Sequence, residues 1–232
     1  MRIEASTSAP KAAYLQFDGV DDVVVVAEQA SLDITSAITL EAWIRPDSLA
    51  NSKSQDRIIE KNHYGLTVST GDTGCAFGSS GDVQWRARIG GLNRRICGGS
   101  LTLGVWQHIA GTYDGSTFTL YIDGAAVAST SRSGSIATNL DSLTLGNWTG
   151  GPRPFDGSMD EVRIWNRALS AAEINANRDV ELTGTETGLV AYYRFNEGSG
   201  QTAADEGATP ANDGTLGGTN SVQSSDPVWT SE

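Results

Sequence analysis

FDGSMDEVRIWNRALSAAEI, residues Phe155 to Ile174, holds three local signals within one short stretch. Asp156-Gly157 is a turn dipeptide. Alternation then predicts a strand, with Met159, Glu161, Arg163 and Trp165 on one face and Val162 and Ile164 on the other. Ser170 stands three residues before Glu173, the capping-box spacing, so their side chains can satisfy free backbone N–H groups at a helix start. The spacing predicts a turn, a strand and one short helix over 171–178.

Working outward, apolar and β-branched runs bounded by Gly, Asp, Asn and Ser recur along the chain. They predict strands near 14–18, 22–27, 37–45, 57–61, 64–69, 74–78, 83–89, 94–98, 105–113, 117–122, 125–130, 142–146, 158–166 and 189–195. Asp-Gly pairs stand at 18–19, 114–115, 123–124, 156–157 and 213–214; Asp123-Gly124, between TFTLYI and AAVAS, has the form of a two-residue hairpin turn. Many short antiparallel strands and a single helix predict an all-β fold of two sheets packed face to face.

Composition narrows the function. The net charge of −12 opposes general binding to nucleic acid or an anionic membrane surface, whose phosphates it would repel. No apolar run is long enough to span a bilayer, and MRIEASTSAP has no signal-peptide core. Residues 1–11 are read as a linker and 12–232 as one large domain. Cys75 and Cys97 flank a hairpin-like segment, and two isolated cysteines make no zinc site with His63 and His108, which lack ligand spacing. Either they form a disulfide or they are two buried thiols.

The pattern G-x-x-D-E-V-R-I-W-N-R-A-L-S-x-x-E-I resembles the closing segment of the laminin-G-like, concanavalin A-type jelly rolls of secreted bacterial proteins. LQFDGVDDVVVV (15–26), ITLEAWIRPDS (38–48) and GVWQHIAGTYDGSTFTLYIDGAAVAS (104–129) match the same family in the same order. The resemblance runs from about residue 14 to 177 and implies a jelly-roll sandwich in an extracellular, secreted setting. One segment is out of place. GLVAYYRFNEGSGQTAADEGATPANDGTLGG (188–218) resembles a family opening segment, yet follows the helix. It either starts a truncated second repeat or folds back to complete the sandwich. Completion is expected, because LVAYYRF is too apolar to lie exposed, and Pro227-Val228-Trp229 offers a second anchor.

Three chemistries are weighed on these residues. Family members often hold a structural Ca²⁺ between the two segments that carry Asp18, Asp21 and Asp22, and Asp160. Hard cations take carboxylate and carbonyl oxygens, so Asp18, Asp22 and Asp160 are the candidate ligands, against a plain solvated acidic turn. Arginine outnumbers lysine thirteen to three, and DVQWRARIGGLNRRIC (82–97) holds four arginines. Guanidinium groups suit bidentate contact with carboxylate or sulfate, and indole rings stack on sugars. Trp85, Arg86, Arg88, Arg94, Arg95, Trp148 and Arg153 are therefore candidate ligand-binding residues, against a core Trp85 and solvated or paired arginines.

Catalysis finds less support. A retaining glycosidase needs two carboxylates about 5 Å apart, and Glu41 and Glu161 each stand isolated on their strands. His63-Tyr64 lacks the lyase motifs of the family. The expected function is a non-catalytic carbohydrate-binding module, monomeric by itself, that holds an attached enzyme near an extracellular polysaccharide, with sulfated or uronate polymers as the anionic option. The alternatives are a structural or adhesion module that binds protein, and a lyase or hydrolase on the same fold.

Overall fold

Val83-Gln-Trp-Arg-Ala-Arg-Ile89 shows how the alternation is used: Val83, Trp85, Ala87 and Ile89 point into the core, and Arg86 and Arg88 point outward. A computed structural model describes residues 13–49, 55–69, 81–150, 153–207, 211–218 and 226–231, and among them the same logic repeats through sixteen strands in two antiparallel sheets.

The first sheet contains β1 (Ala13–Asp18), β3 (Ile38–Pro46), β8 (Gln107–Tyr113), β9 (Thr117–Ile122), β10 (Ala125–Ser131), β12 (Asp156–Trp165), β13 (Leu189–Tyr193) and β16 (Val228–Ser231). Its order is β10-β9-β8-β3-β12-β1-β16, with β13 pairing the later half of β12. The second sheet contains β2 (Val24–Val26), β4 (Gln55–Glu60), β5 (Tyr64–Ser69), β6 (Val83–Ile89), β7 (Leu92–Gly98), β11 (Leu143–Leu145), β14 (Thr202–Ala203) and β15 (Gly214–Leu216). Its order is β14-β15-β2-β11-β4-β5-β6-β7. A 3₁₀ turn spans Ala30–Leu32, and α1 spans Ala171–Asn177.

Between the sheets lies one core, to which nearly every long strand contributes alternate residues, from Leu15 and Phe17 through Trp85 to Tyr193 and Leu216. Burying each such large apolar side chain contributes about 1.5–3 kcal/mol. A second, smaller cluster covers the outer face of the first sheet. There Ile174 of α1 and Leu169 pack on Ala110, Tyr121, Trp165 and Tyr192. The capping box that starts α1 is complete: Ser170 Oγ accepts from Glu173 N, and Glu173 Oε2 accepts from Ser170 N at 2.8 Å. At the other tight turn, Asp123 and Gly124 both have positive φ, which the two-residue hairpin between β9 and β10 requires.

Several expectations need correction. Asp156-Gly157 is not a turn but the start of β12; a Cβ on Gly157 would meet Arg45 O at 2.3 Å. Nor do residues 159–165 alternate without interruption. Asp160 pairs with Trp43 and Arg163 with Glu41, so β12 carries one extra residue there, a bulge, with Glu161 at φ +50. The bulge places Met159 in the core with Val162 and Ile164, while Arg163 and Trp165 face outward. Gly214 begins β15 rather than ending a turn, with Val24 Cγ1 at 2.5 Å from where its Cβ would be. The strand expected at 74–78, Cys75 and residues 1–11 lie outside the described residues.

The segment after α1 enters both sheets. β13 extends the first sheet, β14 and β15 extend the second beside β2, and β16 pairs with β1. Trp229 on β16 stands edge-on to Phe195, with ring centroids 6.3 Å apart.

Candidate functional site

The outer face of the second sheet is built from β4, β5, β6 and β7. Register sets Arg57 opposite Thr67, Gly65 opposite Arg86, and Arg86 opposite Arg95. Outward positions on neighbouring strands therefore bring Arg57, Arg86 and Arg95 to one patch. Here the structure forms a hollow of about 220 Å³ lined by Arg57, Gln84, Arg86, Arg94, Arg95 and Trp148, among others. Gly65 keeps its floor bare, since a Cβ there would meet Ile59 O at 2.6 Å and Glu60 Oε2 at 3.2 Å.

Glu60 is the buried carboxylate beneath this patch. It pairs with Arg86 Nη2 through Oε1, and Arg57 Nη1 lies 3.3 Å from its Oε2. The Trp148 ring lies 5.6 Å from the Arg57 guanidinium carbon. Among the described residues, Glu60 is the one carboxylate that faces both Arg57 and Arg86. Burial, and then the charge of Arg153, push Arg57 down to about 10. Burial, and then Arg57, Arg153 and Arg95, push Arg86 down to about 9. Both guanidiniums stay charged at neutral pH, and each is repelled by the guanidinium charges of its neighbours. Among the described residues, Arg57 Nε and Nη1 and Arg86 Nε have no hydrogen-bond acceptor.

The structure thus brings together five of the seven candidate ligand residues: Arg86, Arg94, Arg95 and Trp148 line the hollow, and Arg153 adds charge beside it. Arg88 turns away to the β6–β7 hairpin, where its Nε donates to Gly91 O at 3.2 Å. Trp85 is a correction. It is 0% exposed, its Nε1 donates to Thr112 O at 3.0 Å, and Gly111 is bare because a Cβ there would stand 2.8 Å from the ring. The ring belongs to the core because Arg86 next to it faces outward. Arg57 and Glu60 are functional candidates that sequence reasoning missed. Their signal was the charged run Gln55-Asp-Arg-Ile-Ile-Glu-Lys61 inside a strand pattern, charges that a strand buries only when something pairs them.

The acidic loop is a second cluster. Carboxylate oxygens of Asp18, Asp21 and Asp22 lie within 4.8 Å of one another. Asp18 pairs across the ladder with Asp156, and Gly19 fits only without a Cβ, which would meet Asp156 Cβ at 2.7 Å. Asp160 does not join this group. It sits four residues further along β12, level with Trp43, where its Oδ1 accepts from Glu161 N at 2.9 Å. The acid of β12 that stands beside the loop is Asp156, opposite Asp18, and Asp56 on β4 feels the Asp156 charge. Both Asp56 carboxylate oxygens are buried without hydrogen-bond partners among the described residues, and burial followed by the Asp156 charge pushes this group up to about 8. Burial foremost, with added repulsion from Asp18 and Asp21, pushes Asp22 up to about 7. The closely spaced carboxylates of Asp18, Asp21 and Asp22 offer the oxygen ligands that a hard cation takes.

Glu41 and Glu161 are spent inside the protein. Arg163, fully buried, donates to Glu161 Oε2 at 2.5 Å and lies 3.6 Å from Glu41 Oε1. Glu41 also accepts from Trp165 Nε1 at 3.0 Å and faces His108 Nε2 at 3.4 Å. Despite its burial, Glu41 is held below its ordinary range by His108 and Arg163. Cys97 is disulfide-bonded, and its Sγ lies 3.5 Å from Gln84 Nε2.

Two antiparallel sheets around one core, with a capped helix on one outer face, define a jelly-roll sandwich. The chain belongs to the concanavalin A-like lectin/glucanases superfamily, whose Laminin_G_3 family profile matches residues 18–175. No curated protein matches it by sequence. Among solved structures, it is similar to a candidate carbohydrate-binding protein from Bacteroides ovatus, with 22% identity and a TM-score of 0.74 over 95% of this chain and 60% of that one. The chain thus spans well under two thirds of that protein's length. It is also similar to domain 4 of AbnA, an extracellular arabinanase from Geobacillus stearothermophilus solved with arabinotriose, at 19% identity and a TM-score of 0.52 over 69% of this chain and 74% of that one. A heptameric SAP-like pentraxin from Limulus polyphemus shares the fold at 14% identity and a TM-score of 0.51, over 71% of this chain and 81% of that one. At these identities the likeness is one of fold.

Proposed function

We propose that the protein is a non-catalytic carbohydrate-binding module that takes an anionic polysaccharide, sulfated or uronate, across the outer face of the second sheet. It would work outside the cell and hold an attached enzyme at its polymer. The observation that carries this reading is the arginine hollow. Arg57, Arg86, Arg94 and Arg95 converge with Trp148 on a chain whose net charge is −12. Arginines that repel one another are relieved by an anion, and guanidinium forks meet carboxylate or sulfate in bidentate geometry. The Trp148 ring adds a surface for a sugar face. The two carbohydrate-related neighbours support the ligand class by fold.

Affinity electrophoresis against sulfated, uronate and neutral polysaccharides tests it. Retention by an anionic polymer is expected, weakening as salt rises, because exposed ion pairs are screened over about 8 Å at physiological ionic strength. Arg86→Ala with Arg95→Ala should cost about tenfold or more in affinity. Salt-independent binding to a neutral glucan alone would overturn the ligand class. Binding to no polysaccharide at all would favour the protein-adhesion reading.

The acidic loop is proposed to hold a structural Ca²⁺, with Asp18, Asp21 and Asp22 as first candidates and Asp156 beside Asp18. When bound, the ion would neutralise these carboxylates and tie the loop after β1 to the start of β12.

A further inference from the structure

The outer face of the first sheet, on the opposite side of the sandwich from the arginines, carries a second hollow of about 270 Å³ between β3, the loop before β8, and the C-terminal end of α1. Trp43, Val105, Trp106, Asp123, Arg178 and Asp179 form its main walls. We propose that this hollow is a separate binding site for one neutral sugar ring.

The walls are held in place. Trp43 Nε1 donates to Arg178 O at 2.7 Å, and the ring stands edge-on to His108 at 5.6 Å. Trp106 packs edge-on against Tyr14 at 5.4 Å, under the Arg45 guanidinium at 5.5 Å. Its buried indole N–H has no acceptor among the described residues. The loop is pinned where Thr102 N donates to Gln107 Oε1 at 2.6 Å and Gly104 N to Pro46 O at 2.8 Å. Yet Leu103 and Val105 on this pinned loop are 53% and 47% exposed. A fixed loop that presents apolar side chains beside a partly buried indole offers a surface for the C–H face of a ligand.

The polar groups decide the ligand's charge. The Arg178 guanidinium is already committed to Asp123 O and, at 3.1 Å, to Asp179 Oδ2. Among the lining residues two carboxylates and one engaged guanidinium sum to −1, and the Arg45 guanidinium beside Trp106 is itself paired with Asp47 at 3.9 Å, so an anionic sugar is disfavoured. Asp179, about half exposed, retains acceptor capacity for hydroxyl donors. Hydroxyls directed to carboxylate oxygens, with C–H faces directed to an indole and a valine, describe a neutral sugar. The size agrees: pockets for drug-sized ligands run from about 300 Å³ upward, so this one holds a single ring. The chemistry is opposite to that of the arginine hollow, and the two sites are tested independently.

The test uses the indole N–H resonances of ¹⁵N-labelled protein, six tryptophans in all, with Trp106→Phe to assign the reporter peak. Glucose, galactose, mannose, xylose, arabinose and N-acetylglucosamine are each titrated, and glucuronate and glucosamine serve as charged controls. At least one neutral sugar should shift the Trp106 peak. The shift should survive high salt and the Arg86→Ala, Arg95→Ala pair, and should weaken about tenfold or more in Val105→Arg, which fills the mouth from an exposed position. No shift with any neutral sugar up to about 100 mM, far into the weak-binding range, would overturn the proposal. So would a response to glucuronate or glucosamine alone, or a neutral-sugar shift left intact in a folded Val105→Arg variant.

Discussion

Tyr192 donates its hydroxyl to Glu161 Oε2 at 2.6 Å, joining β13 to the one residue that the β12 bulge leaves at positive φ. Glu161 in turn holds Arg163, which also donates to Val180 O at 2.7 Å and Asn177 O at 2.9 Å. The segment after α1 therefore closes the polar network at the centre of the Asp-Glu-Val-Arg-Ile-Trp stretch. Tyr192→Phe keeps the ring and removes the donor, leaving a buried carboxylate short of one partner. It should lower stability by about 1–3 kcal/mol, read from denaturant melts. A variant as stable as the parent would show that this hydrogen bond contributes nothing net. Deleting 188–232 should cost much more, since Leu189, Val190, Tyr192, Tyr193 and Phe195 all leave buried positions.

Calcium should raise the melting temperature and a chelator should lower it, because a ligand bound only by the folded state stabilises by mass action, about 2.7 kcal/mol at a hundred times Kd. Asp18→Asn with Asp22→Asn should remove the difference between the two conditions. Asp160→Asn should keep it, because Asp160 lies level with Trp43 and away from the loop. Identical melting curves with Ca²⁺ and with chelator would dispose of the metal.

The helix cap predicts a pH dependence. Hydrogen bonds from the Ser170 backbone, then Arg167 and the Ser170 hydroxyl, hold Glu173 down at about 2, from an ordinary value of 4.5. Its pKa is lower in the folded state, so its contribution is present above 4.5 and is lost as pH falls toward 2. The gap in melting temperature between the parent and Glu173→Gln should therefore narrow across that window and close at its acid end. The side chain is 42% exposed, and solvent screening keeps the effect small. A gap that stays constant with pH would assign the difference to helix propensity.

What could be read from sequence was local. Asp123-Gly124 and the Ser170–Glu173 pair declare a hairpin and a helix start through their own chemistry, and both are present. What escaped depended on partners distant in the chain. Asp156-Gly157 has the composition of a turn, but pairing with β1 and β3 on either side draws it into a strand. At the bulge Glu161 meets Arg163 and Tyr192, partners that no alternation rule records. In the candidate site, Arg86 and Arg95 were legible as a charged window, whereas Arg57 joins them only through the register of β4, β5 and β6. The Asp18–Asp156 pairing is likewise a matter of register, which is why Asp160 stood in its place among the expected ligands.

The pairing of β16 with β1 has a mechanical consequence. Ala13 lies opposite Ser231, and the two strands run antiparallel from that point. A pull applied through these two residues separates the strands from one end, so the ladder bonds are loaded one after another rather than together. Such a load unzips β16 first and lifts Trp229 from Phe195, while the long ladders between β3, β8 and β12 carry no direct tension. Under such a load this seam opens first, and the residues that line the two hollows lie outside β1 and β16.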